Sequence, residues 1–277
     1  YIPEFERDTV LVNRLFYAEK YLLLRLRFAN IDPREAGVGN VVNCGAAMYM
    51  APVGIVNAGD PEGAYREAIE LAGAHQSSYG REAAGVYAAA IAEALRPNSS
   101  VDSVIATTLE LARDGTRDAI AAVTEAARGV RDWQAAIPAL RDAVRPFDSV
   151  GEHYRDPHPD ARRPSRTKAI EELPVALGML VMARGEYLPT VLGGVNYGRD
   201  SDSIASMGGA ISGAMHGASA VPADWARFIQ ERSRKDLESL AGDLAAVARE
   251  ILGRDADRWA ARLEGFPQAQ TKFEVKS

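Results

Sequence analysis

The chain has 277 residues, of which 47% are hydrophobic and 25% are charged. This is the composition of a globular protein with one large core or two small ones, and it excludes intrinsic disorder, collagen and a small disulfide-stapled domain. Asp and Glu number 38 against 32 Lys and Arg, which gives a formal charge of -6. An acidic chain has no global attraction for phosphate backbones or anionic lipid, so we expect neither a nucleic-acid nor a membrane partner.

The single cysteine, Cys44, can form neither an internal disulfide nor a cysteine cluster for zinc, and it predicts a reducing, cytoplasmic location. The longest apolar run, Leu173 to Ala183, has about half the length that spans a bilayer. The chain begins at Tyr1 instead of a methionine, and its first residues are not a targeting segment. We therefore expect one domain over residues 1–277 that lacks part of its N-terminus.

Apolar residues recur at helical spacing almost everywhere, which predicts an all-α fold. Val10 to Phe28 is apolar on several faces and predicts one buried helix. Asp60 and Pro61 suit an N-cap and a first helical turn, so a helix is predicted from there to about His75, and Pro97 ends the next one. Further helices are predicted over Val101–Arg113, Arg117–Arg128, Asp132–Arg145, Ile170–Ala183, Ser203–Gly217, Pro222–Arg232 and Lys235–Leu252.

The stretch from Ser149 to Arg166 differs from the rest because it contains three prolines and two of the four histidines. Prolines at this density exclude a regular helix and predict an exposed loop. The loop either covers a cleft or, as the simpler interpretation has it, is a solvated insertion. No pair among the four histidines has the spacing of metal ligands.

The densest chemical signal is the run Gly198-Arg199-Asp200-Ser201-Asp202-Ser203. In a loop, the spacing of Asp200 and Asp202 directs both carboxylates to one side, and Ser203 adds a hydroxyl. These hard oxygen ligands suit Mg²⁺ or Mn²⁺, and a cation would remove the repulsion between the two carboxylates. The alternative is that Asp202 or Ser203 only caps the helix that follows.

That helix is rich in small residues, among them Gly208, Gly209, Ala210, Gly213, Ala214 and Gly217. Each glycine lowers helix stability by roughly 1 kcal/mol relative to alanine. So many glycines favour a backbone that packs very close to neighbouring helices and holds the acidic run in place. Close packing explains the helix without establishing a site.

A second unusual segment, from Asn40 to Gly54, contains Asn43 and the small residues Gly45, Ala46 and Ala47. Small residues at a helix start would let a sugar or phosphate approach the backbone N–H groups, but a tight turn into a buried helix gives the same pattern. His75 lies at a predicted helix end, where capping is its default role. No local base would activate Cys44 as a nucleophile.

Taken in order, these segments resemble the ADP-ribosylglycohydrolase family. The block from Asn43 to Met48, with Ala51-Pro52, is similar to that family's Gly-Asn-Gly-Ala-Ala-Met-Arg, and Ala74-His75 is similar to its Thr-His. The strongest likeness is Gly198 to Ala205, which resembles Gly-Gly-Asp-x-Asp-Thr-Ile-Ala. It is followed by a small-residue helix and by Pro222 to Trp225, which is similar to the family's Pro-x-x-Trp ending.

The resemblance spans roughly Arg34 to Trp225 and implies a compact, orthogonal helical bundle that holds two divalent cations, usually magnesium, below an ADP-ribose cleft. The implied metal ligands are Asp200, Asp202 and Ser203. The implied lining of the substrate pocket is Asn43, Gly45, Ala46 and Met48, with His75 at its border. The implied chemistry is hydrolysis at the anomeric carbon of ribose, with Asp200 and Asp202 as the catalytic carboxylates.

Three positions depart from the family pattern. Ser203 replaces a threonine and keeps the hydroxyl, whereas Tyr49 replaces an arginine and Arg199 replaces a glycine, which changes the charge and shape of the pocket. The family's other metal ligands come from a Thr-Asp-Asp-Thr block, of which Arg7 to Thr9 is at most a remnant. We expect that block upstream of Tyr1.

The favoured hypothesis is a metal-dependent hydrolase of an ADP-ribosyl bond or another N- or O-ribosyl bond, with magnesium at a two-metal site and manganese as the alternative cation. One alternative is an N-ribosyl hydrolase of a nucleoside or nucleotide, because Tyr49 and Arg199 could reshape the pocket. The other is a non-catalytic helical module that binds ADP-ribose, which the missing metal block favours. Competition by free ADP-ribose and titration with Mg²⁺ separate these possibilities.

Overall fold

The computed structural model describes residues 1–147, 169–233 and 235–266. Within these ranges the chain forms α-helices joined by turns and short 3₁₀ segments, without β-strands, so the all-α prediction is confirmed. The predicted loop at 149–166 lies outside the described residues. The α-helices in chain order are α1 (Tyr17–Leu23), α2 (Ala51–Val56), α3 (Pro61–Ala72), α4 (Ser78–Ala94), α5 (Val101–Leu111), α6 (Asp114–Arg128), α7 (Trp133–Val144), α8 (Ala169–Met182), α9 (Tyr187–Asn196), α10 (Ser201–His216), α11 (Ala223–Ser233) and α12 (Leu237–Glu264).

Helices α4 and α8 form the centre of the core. α4 consists largely of alanine, so α2, α3 and α5 can pack close to its backbone. α8 is apolar on most of its surface and packs against α6, α7, α9 and α10. A helix without a broad polar face has to be enclosed by its neighbours, and α8 is buried along almost its entire length.

Helices α9 and α10 form a hairpin whose turn carries the acidic run. They pack very closely, because a Cβ at Gly194 would lie 2.6 Å from the Cα of Ala205. A Cβ at Gly208 would lie 2.9 Å from the Cγ2 of Thr190. The predicted close packing of the small-residue helix is therefore confirmed at these positions, whereas Gly213 would meet no atom within 4 Å.

The prediction of one buried helix over Val10–Phe28 is wrong. This segment contains a 3₁₀ turn at Leu11–Asn13, then α1, then a short π-helical stretch at Leu24–Phe28. Leu24 and Phe28 are 56% and 75% exposed. Apolar residues on several faces indicate burial only where other elements cover them, and the described core covers little of this segment.

The last two helices lie at the edge of the core. α11 and α12 contain no buried residue, and α12 packs against α2. α12 continues to Glu264, about three turns beyond its predicted end at Leu252. Among the described helices, none combines the length and the apolar character that crossing a bilayer requires.

Candidate active site

A cleft of about 570 Å³ lies where three segments of the chain meet. One wall comes from residues 11–19 near the N-terminus, another from the turn at 43–48, and the third from the first turn of α10. The predicted residues Asn43, Gly45 and Met48 therefore share one cleft with Asp200, Asp202 and Ser203. This volume falls within the range of small-molecule sites.

The acidic residues of the cleft lie at the start of α10. Asp200 occupies the N-cap position, although its side chain makes no capping hydrogen bond, and Asp202 and Ser203 already lie in the first helical turn. The N-cap position therefore belongs to Asp200, although the Asp202 carboxylate also accepts hydrogen bonds from backbone N–H groups of the first turn. Partial burial and a hydrogen bond with Asp200 raise the pKa of Asp202 above its ordinary value.

Two side chains from distant segments lie close to Asp200. The Cys44 thiol donates to Oδ2 of Asp200 at 3.0 Å and lies 3.3 Å from the Oγ of Ser203. Glu172, on α8, is almost completely buried, and one ligand atom each of Cys44, Glu172 and Asp200 lie within 4.8 Å of one another. Glu172 is not among the residues predicted from the sequence, although a pair of glutamates in an otherwise apolar helix is a signal for it.

This cluster suits a divalent cation. Carboxylates at such short separation repel one another unless a cation or a proton compensates their charge. Burial, together with the nearby Glu172 and Asp200, raises the pKa of the Cys44 thiol, so the sulfur stays protonated and is a weak ligand. The carboxylates and the Ser203 hydroxyl are hard oxygen donors of the kind that magnesium and manganese prefer.

The turn at 43–48 is held by the Asn43 side chain. Its Oδ1 accepts the Gly45 backbone N–H at 2.8 Å and the Nε2 of Gln76 at 2.8 Å. Met48 extends the turn towards α10, where the Ser203 hydroxyl approaches its sulfur at 3.6 Å. Ala46, which the resemblance placed in the pocket lining, is part of this turn but has no exposed surface.

His75 lies behind this turn and is buried. Its Nδ1 is hydrogen-bonded to the Tyr49 hydroxyl, and its Nε2 lies 3.2 Å from Oε1 of Glu19, a residue of α1 that lines the cleft. Burial lowers the pKa of His75, with Glu19 acting in the opposite direction. Both ring nitrogens of His75 thus lie next to side chains, Tyr49 and Glu19, instead of the backbone carbonyls that a helix cap would contact.

Arg199, which precedes the acidic pair, is tied to α8. It adopts a left-handed backbone conformation with φ of 48°, which glycine tolerates at lower cost. Its guanidinium lies 2.7 Å from Oε1 of Glu171, which also accepts the Tyr197 hydroxyl at 2.7 Å. Glu171 is buried, so this ion pair is shielded from water and anchors the backbone next to Asp200.

In this helical fold an acidic helix start and a small-residue turn thus line one cleft. The family model for ADP-ribosylglycohydrolase matches residues 9–252, nearly the whole chain. The chain belongs to the ADP-ribosylglycohydrolase family, whose members are hydrolases associated with ADP-ribosyl bonds. A comparison with curated proteins gives no significant match.

Proposed function

We propose that this protein is a divalent-cation-dependent hydrolase that cleaves a ribosyl bond of an ADP-ribosylated substrate, with magnesium as the cation. The observation that carries the proposal is the meeting of Asp200, Asp202 and Ser203 with the turn at 43–48 in one cleft. Family membership supplies the reaction class. The lone buried thiol of Cys44 supports a reducing, cytoplasmic location.

The proposed cation ligands are Asp200, Asp202, Ser203 and the buried Glu172. A cation bound there would orient ribose hydroxyls and polarise a water molecule. Asp200 and Asp202 would also stabilise positive charge at the anomeric carbon, because their carboxylates face the same cleft. In this proposal the thiol of Cys44 holds Asp200 in position by donating to one of its oxygens.

The turn at 43–48 would bind the ribose and phosphate portion of the substrate. Gly45 contributes no side chain to the cleft wall, so a ligand can approach the backbone there. Asn43 would support the turn instead of reaching the ligand, because its side-chain oxygen already accepts two hydrogen bonds. Met48 would provide an apolar surface beside Ser203.

The test is Asp202→Asn, which keeps the shape of the side chain and removes its negative charge. We expect the full-length variant to fold, to lose magnesium binding in titration calorimetry and to lose release of ADP-ribose from an ADP-ribosylated peptide. The matched control is Asp243→Asn, at an exposed position on α12. Turnover at the wild-type rate in Asp202→Asn would contradict the assignment.

The same assays distinguish the alternative functions. A nucleoside or nucleotide hydrolase would cleave inosine or nicotinamide mononucleotide, and free ADP-ribose would not compete with that substrate. A non-catalytic module would bind ADP-ribose without magnesium and release nothing. Hydrolysis of the peptide linkage with inhibition by ADP-ribose supports the proposed function over both.

A further inference from the structure

Glu19 brings a carboxylate to the cleft from a segment that supplies none of the proposed cation ligands. Its Oε1 lies 3.2 Å from Nε2 of His75. The Glu19 side chain is 36% exposed and lines the cleft, and its Oε2 accepts no hydrogen bond from the described residues. A carboxylate with unmet acceptor capacity on a partly exposed side chain favours a donor from a molecule bound in the cleft.

The contact between Glu19 and His75 is supported from behind by Tyr49. The Tyr49 ring stacks on the imidazole with 5.7 Å between centroids and 7° between planes, and its hydroxyl is hydrogen-bonded to Nδ1. The backbone carbonyl of His75 accepts the Asn40 side chain at 2.9 Å. The imidazole therefore has one well-defined position, with its remaining nitrogen close to Glu19.

Gly45 allows the imidazole to reach the cleft wall. A Cβ at this position would lie 2.8 Å from Cε1 and 3.2 Å from Nε2 of His75, which is too close for either contact. Glycine at 45 thus places the edge of the ring directly behind the turn that lines the cleft. His75, Gly45 and Glu19 form one continuous piece of the wall.

We propose, on the basis of the proposed function, that Glu19 binds a hydroxyl of the substrate's distal ribose, the ribosyl group that is cleaved, and that His75 and Tyr49 are positioning residues for its carboxylate. An ionised carboxylate only accepts hydrogen bonds and repels phosphate, so its partner is a hydroxyl or amino group. Glu19 shares its cleft with Asp200 and Asp202, where the ribosyl group reacts, and this favours the distal ribose over the adenine amino group.

The experiment measures binding of ADP-ribose and of ADP, which lacks the distal ribose, to the magnesium-loaded full-length protein by calorimetry. We expect Glu19→Ala to weaken ADP-ribose binding roughly ten- to hundredfold and to change ADP binding by less than about twofold. Glu19→Gln keeps a hydrogen-bond acceptor and should lose less. Tyr49→Phe keeps the stacked ring and should weaken ADP-ribose binding by about threefold, again with little effect on ADP.

The control is Glu62→Gln, at an exposed position on α3. Glu19 variants are expected to fold because Ala18 is the only buried residue described on α1. Equal weakening of ADP-ribose and ADP binding would place Glu19 at the adenosine end or in a merely structural role. Unchanged binding of both ligands would show that Glu19 does not contact them. Either result would overturn this inference and leave the proposed function standing. Failure of the wild-type protein to bind ADP-ribose with magnesium would overturn the proposed function and this inference together.

Discussion

The hairpin of α9 and α10 allows the link between helix packing and the acidic site to be tested with one pair of substitutions. A Cβ at Gly194 would lie 2.6 Å from the Cα and 2.8 Å from the backbone nitrogen of Ala205. Unbonded carbon atoms approach to about 3.5 Å, so Gly194→Ala has to move the two helices apart by roughly 1 Å. Gly213, in α10, offers the opposite case, because a Cβ there meets no atom within 4 Å.

The two alanine variants should therefore change stability in opposite directions. Gly194→Ala should lower the free energy of unfolding by about 1–3 kcal/mol, the usual cost of overpacking a close contact. Gly213→Ala should raise it by about 0.5–1 kcal/mol, because alanine loses less backbone entropy in a helix than glycine does. The free energies of unfolding of the two variants should therefore differ by about 1.5–4 kcal/mol.

Urea denaturation of the two variants measures this difference, and titration with magnesium measures its consequence for the site. A displaced α9 shifts the turn that leads to Asp200, so Gly194→Ala should weaken cation binding, whereas Gly213→Ala should leave it unchanged. Equal free energies of unfolding for Gly194→Ala and Gly213→Ala would refute the packing argument. Lower stability of Gly194→Ala with unchanged magnesium affinity would instead show that packing of the hairpin does not affect the cation site.

Three further predictions concern single side chains. Arg199→Gly relieves the left-handed backbone but removes the guanidinium that pairs with the buried Glu171. Thermal unfolding should therefore show a net destabilisation of about 2 kcal/mol, and greater stability than wild type would contradict the role of the ion pair. Because the pKa of Cys44 is raised, iodoacetamide at pH 8 should alkylate the native protein much more slowly than the urea-unfolded chain, and equal rates would exclude a protonated, buried thiol. The pKa of His75 is lower in the folded than in the unfolded protein. Below about pH 6.5 the unfolded state therefore binds more protons than the folded state does. The free energy of unfolding should fall on acidification more steeply in wild type than in His75→Gln.

Most helix positions could be predicted from the sequence because their signals are local. The Asp60 side chain accepts the Gly63 backbone N–H at 2.9 Å, and Asp132 accepts that of Ala135 at 2.8 Å. Such caps act within one turn, so the residues that determine them are neighbours in the chain. The failure at Val10–Phe28 has the opposite cause, since burial depends on distant elements that periodicity does not describe.

The residues of the candidate site also differ in whether local sequence signals reveal them. The acidic run could be found from the sequence because Asp200, Asp202 and Ser203 are close in the chain. Their partners could not, because Cys44 is 156 residues from Asp200. The alanine-rich α4 and the apolar α8 form the core that brings these segments together. A residue pattern within one segment does not indicate which distant segment will lie next to it.

The two residues that depart from the family motif, Tyr49 and Arg199, are explained by the buried side chains that they contact. Tyr49, in place of an arginine, is stacked on and hydrogen-bonded to the buried His75. Arg199, in place of a glycine, is paired with the buried Glu171. Each replacement changes the charge at its position and is fixed by a buried group outside its own motif, so the backbone of the cleft is supported while its chemistry differs. Both replacements are therefore integrated into the packing behind the cleft.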